Sequence, residues 1–137
     1  MEEYVMHYTM VIIGIFAASV LSAQGKKDTD IKRENMTVLN LTDTIGDGVN
    51  KEVRVLFKGP RRTIVQITLR NNGILASHSA PEPITIHCVA GKGTMTVGEE
   101  KRVIELTNSV LVTIEPNVPH EIIGEPAVSV LLSKFSE

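Results

Sequence analysis

The chain has 137 residues, enough for one domain with one hydrophobic core and too few for two ordinary ones. Fourteen lysines and arginines face sixteen acids, and the basic clusters are no larger than "GKK" and "PRR", so nothing supplies the phosphate attraction that dominates nucleic-acid affinity. Beyond Phe16 the only aromatic side chains are Phe57 and Phe135, which excludes recognition by stacking on bases or sugar rings.

The first element is an apolar run, "MVIIGIFAASVLSAQG", about fourteen residues from Met10 to Ala23. As a helix it covers roughly 21 Å, short of a hydrocarbon core of about 30 Å, so residues 1–23 read as a secretory signal helix, with an uncleaved membrane anchor as the alternative. Two features run against a standard leader: Glu2 and Glu3 with no lysine or arginine, and the large Leu21 three positions before a cut after Ala23. Cleavage removes two of the sixteen acids and no base, leaving fourteen against fourteen. Export to the periplasm or the extracellular space follows, with membrane contact only through an uncleaved leader.

Residues 24–50 are a polar tether and entry segment. "QGKKDTDIKRENM" is too polar to offset its ordering entropy, and "TVLNLTDTIGDGVN" has Val38, Leu39, Leu41 and Ile45 to pack before a "GDG" turn signal, its conformation left open.

From Lys51 the hydrophobic period is two. Val53, Val55 and Phe57 alternate with Glu52, Arg54 and Lys58; after "GPRR", Val65, Ile67 and Leu69 alternate with Gln66, Thr68 and Arg70. Turn signals then recur at "NNG", "GKG", "GEEK", "TNS", "EPNVP" and "GEP", separating "PITIHCVA", "TMTV", "RVIEL", "VLVTIE", "HEII" and "AVSVLLSKF". Helical spacing is missing after residue 50, so residues 51–137 are expected to form eight or nine short strands closed into an all-β antiparallel barrel or jelly roll. "GKG" is expected to be a hairpin connector.

The single cysteine, Cys88, forbids an internal disulfide, and its neighbours Ile86 and Val89 make it a small buried apolar residue.

The order of these parts resembles the cupin superfamily in its short single-domain form. "GILASHSAPEPITIHCVAG" matches the family's first motif at Gly73, His78 and Gly91, and "NSVLVTIEPNVPH" matches the second at Pro116 and His120; the likeness spans residues 52 to 135. The resemblance implies a barrel whose interior offers His78 and His120 to a divalent metal such as iron, manganese, nickel or zinc. The family's second histidine falls on Ala80 and its glutamate on Ile84, so two of four usual ligands are present.

Two residues nearby are candidate replacements. If 84–89 is a regular strand, Ile84, Ile86 and Cys88 share one face, and His87 points out unless a bulge at Pro81 or Pro83 shifts the parity. Glu82, between those prolines, is the other reserve ligand. Function divides into two expectations: a domain that holds a small, partly apolar molecule in the barrel, or a metal-dependent isomerase or dioxygenase built on His78 and His120. The resemblance also implies a homodimer, with Val53 and Val55 as a face for a second copy.

Overall fold

The computed structural model describes residues 36–137. It contains seven strands and, among the described residues, no helix: β1 (Lys51–Lys58), β2 (Arg62–Leu69), β3 (Ile74–His78), β4 (Ile84–Val97), β5 (Arg102–Leu106), β6 (Leu111–Ile114) and β7 (His120–Phe135). The signal helix expected over 1–23 lies outside the described residues.

Two long strands organise everything else. β4 and β7 run antiparallel from Ile84↔Lys134 to Val97↔His120, and the register slips twice, between Cys88 and Ala90 and between Gly91 and Gly93. On one side of these bulges β4 pairs with β6 and β7 with β2, which pairs with β1; on the other side β4 pairs with β5 and β7 with β3. The result is two antiparallel sheets, β1-β2-β7-β4-β6 and β3-β7-β4-β5, made continuous through bent strands. Ile67, Ile86 and Val130 from the first and Met95, Leu106 and Ile122 from the second meet in one buried cluster. This closure is the all-β jelly roll that the period-two pattern implies.

The strand count falls below eight or nine because two signals taken as turns are bends. Gly91 has φ +73°, a left-handed value, and a Cβ there would run into the Ala127 carbonyl oxygen. At Gly93 a Cβ would come within 2.5 Å of the Ile123 carbonyl. "GKG" is therefore a bulged stretch inside β4 where glycine permits β7 to approach, not a hairpin connector. "GEP" likewise lies inside β7. The other signals are true turns: Asn71 and Asn72 take positive φ between β2 and β3, Gly98 and Lys101 between β4 and β5, and Asn117 between β6 and β7.

Two further features concern β1 and the segment before it. Val53 and Val55 pair with Ile67 and Val65 on the edge strand β1 and are 54% and 62% exposed. Residues 39–50 form no strand but belong to the same compact unit as the barrel. Arg70 holds them: its Nε donates to the Gly46 carbonyl (2.7 Å), an amino nitrogen donates to the Val49 carbonyl (3.0 Å), and its backbone N–H donates to the Asn50 carbonyl (2.8 Å). Under this strap Gln66, a residue the alternation assigns to the outer face, is 3% exposed and donates to the Thr42 carbonyl and to Ser129 Oγ.

Candidate functional site

The two motif histidines converge. His78 ends β3 and His120 begins β7, and the two are cross-strand partners. A register shift between Leu75 and His78 sets the end of β3, and Asn117, in a left-handed conformation, donates its N–H to the Ala80 carbonyl at 2.7 Å. That bond ties the loop after His78 to the turn before His120. The ring centroids lie 4.4 Å apart with planes tilted by 59°.

Their surroundings differ. His78 is exposed, whereas His120 is 1% exposed among the buried side chains. Val97, the cross-strand partner of His120 on β4, and the flanking Leu75, Ala80 and Val118 are half-buried apolar residues packed on the core. The pair thus sits where the apolar interior meets solvent, at one mouth of the barrel.

Each ring is held by the chain two residues before it. His78 Nδ1 lies 2.8 Å from the Ala76 carbonyl and His120 Nδ1 lies 3.0 Å from the Val118 carbonyl. A carbonyl oxygen only accepts, so each Nδ1 carries the proton and each Nε2 of the neutral ring keeps its lone pair. His120 Nε2 is buried and has no hydrogen-bond partner. An acceptor left this way costs about 1–3 kcal/mol and calls for a partner such as water, an ion or a ligand. Burial pushes the His120 pKa below the ordinary imidazole value; its bond to Val118 opposes this, and the nearby His78 charge adds to the lowering.

The reserve ligands lie elsewhere. The pairing of β4 is regular from Ile84 to Cys88, with Ile84, Ile86 and Cys88 buried, so the prolines shift no parity and His87 alternates onto the opposite face. Glu82 is paired with Lys134 at 3.8 Å. Among the described residues no three His, Cys, Asp or Glu side chains come together to hold a metal ion. Two imidazoles without a carboxylate are one protein ligand short of the three that catalytic zinc and non-haem iron sites keep, so this donor set does not by itself fit a resident catalytic ion.

Cys88 is fully buried, and burial pushes its thiol pKa up, against a lesser lowering from a backbone hydrogen bond at Ala90. This suits a packing residue and not a nucleophile. What the residue pattern did not reveal is the pair of backbone carbonyls that fix the imidazole tautomers, since a main-chain oxygen leaves no mark in the sequence.

No protein-family model matches the chain, and no curated protein matches its sequence. Solved structures do match. A cupin superfamily protein from Desulfitobacterium hafniense aligns over 69% of this chain and 84% of its own at 12% identity, TM-score 0.62. An RmlC-like cupin protein from Desulfovibrio desulfuricans aligns over 74% of this chain and 97% of its own at 19% identity, TM-score 0.64. An RmlC-like cupin family protein from Methanocaldococcus jannaschii, with a double-stranded β-helix fold, aligns over 74% of this chain and 92% of its own at 18% identity, TM-score 0.61. The seven strands, in two sheets joined through β4 and β7, are thus matched over most of the length of such proteins, and the fold is that of a single-domain cupin.

Proposed function

We propose that this chain is an exported cupin-domain protein that binds a small molecule at the barrel mouth, where His120 Nε2 accepts a hydrogen bond from the ligand. The observation that carries the reading is the buried, partnerless Nε2 beside the exposed His78 ring. A ligand hydroxyl or N–H satisfies that acceptor, while Leu75, Ala80, Val97 and Val118 provide apolar contact. The apolar leader supports export to the periplasm or beyond, and the missing aromatic and basic surfaces argue against nucleic acid. The exposed valines of the edge strand β1 support a homodimer, which sedimentation at micromolar concentration checks: a monomer there ends that part of the proposal.

The second reading is a metal-dependent cupin enzyme of isomerase or dioxygenase type, with iron, manganese, nickel or zinc on His78 and His120. It draws on the two free Nε2 atoms and requires a third protein ligand that no described residue supplies. Native mass spectrometry and metal analysis of the full chain separate the two. Small-molecule binding gives a released organic ligand that is lost in His120→Phe, with metal below stoichiometry and unchanged by the substitution. Stoichiometric metal that disappears in His120→Ala would overturn this order of preference.

A further inference from the structure

Among the described residues β1 pairs with β2 alone, so its other side is an open sheet edge. The register fixes which backbone groups face that edge. The Arg70 N–H donates to the Asn50 carbonyl at 2.8 Å, in line with the pairing from Lys51↔Leu69 to Val55↔Val65, so Asn50 and Arg70 are a hydrogen-bonded pair. Such pairs alternate along an antiparallel ladder: Glu52 and Arg54 also bond across to β2, while Lys51, Val53 and Val55 aim N–H and C=O at the open edge. The register shift between Val55 and Phe57 then breaks the alternation and ends the open row.

The side chains of this stretch are self-complementary. Lys51, Val53 and Val55 share one face, with both valines more than half exposed, and the oppositely charged Glu52 and Arg54 share the other. A second copy meeting this row about a two-fold axis centres on Lys51, Val53 or Val55. Centring on Lys51 sets two ammonium groups against each other, and centring on Val55 runs the ladder across the bulge. Centring on Val53 sets Val53 against the partner's Val53 and Lys51 against the partner's Val55. It also sets Glu52 against the partner's Arg54, twice by symmetry, at the non-hydrogen-bonded positions where side chains approach most closely. Glu52 meets Arg70 at 2.9 Å through one carboxylate oxygen and Arg54 donates to Thr42 at 3.3 Å through one nitrogen, so each keeps further polar atoms for the new pair.

We propose that β1 joins a second copy of this chain edge to edge, antiparallel about a two-fold axis at Val53, with reciprocal Glu52–Arg54 ion pairs selecting the register. This interface rests on the homodimer reading above, to which it adds the contact strand and its alignment.

Val53→Cys and Val55→Cys in the full chain, compared under mild oxidation, test it. The axis brings the two position-53 α-carbons to about 5.5 Å, within disulfide range, and leaves the two at position 55 about 13 Å apart. Cys88 is fully buried and does not compete. Disulfide-linked dimer is expected to form at least about tenfold faster from Val53→Cys than from Val55→Cys. Arg54→Glu sets a like charge against Glu52 and is expected to weaken dimerisation at least about tenfold in sedimentation, with Arg54→Gln weakening it less. A dimer that cross-links no faster at position 53 than at 55, or that is indifferent to Arg54→Glu, overturns this interface and leaves the homodimer standing. A monomer at micromolar concentration overturns both.

Discussion

His120 is the residue on which burial and chemistry pull against each other. Its imidazole is neutral in the barrel and protonates with difficulty, because burial lowers its pKa beneath that of the same residue in the unfolded chain. The unfolded state therefore binds a proton first as pH falls. The stability associated with neutral His120 is complete above about pH 6.5 and is lost as pH drops through that value toward the lower folded pKa. Chemical denaturation between about pH 7.5 and 5 should show this loss, and His120→Gln should flatten it; a variant that loses stability as steeply as the wild type would contradict the assignment. His78, exposed beside it, was legible as a partner from motif spacing. Its carbonyl-fixed tautomer was not, because the bond to Ala76 depends on the local bend of β3 and not on residue type.

Elements were legible where one period ruled and illegible where a residue type has two uses. The alternation of Ile84, Ile86 and Cys88 placed His87 on the opposite face correctly. "GKG" and "GEP" misled because glycine and proline serve bulges as well as turns, and only the long-range pairing of β4 with β7 decides between them. The bulge makes a sharp contrast between glycines. Gly91→Ala combines left-handed strain with a collision against Ala127, and should cost about 2–4 kcal/mol. Gly98→Ala, with positive φ but open space around it, should cost about 1 kcal/mol. Denaturant midpoints rank the two, and equal losses would mean that β7 does not press on β4 at the bend. The strap was left open because its partner, Arg70, lies 21 to 24 residues away. Arg70→Met should free it, raising amide exchange and proteolysis across residues 42–50 while β4 and β7 keep their protection.

At the scale of the whole molecule, β4 and β7 are shared by both sheets, so neither sheet has a core or a full set of strands without the other. One cooperative unit is the consequence. Amides of Ile84–Cys88 and of Gly93–Val97 should exchange with the same free energy, and a lower value in either half would show separable sheets. The same sharing brings the end of β3 to the start of β7 and so creates the mouth with its two rings. The fold class was readable because strands with turns admit few closures; the site was only half readable, because motif spacing names the histidines and says nothing of what their nitrogens do. The most direct measurement is a long-range nitrogen–proton spectrum of the imidazoles in the full chain near pH 7.5. Nδ1-protonated tautomers for both His78 and His120, with the His120 Nε2 signal moving when ligand binds, are the result expected. A His120 ring protonated on Nε2 would leave the mouth without its free acceptor and contradict the account.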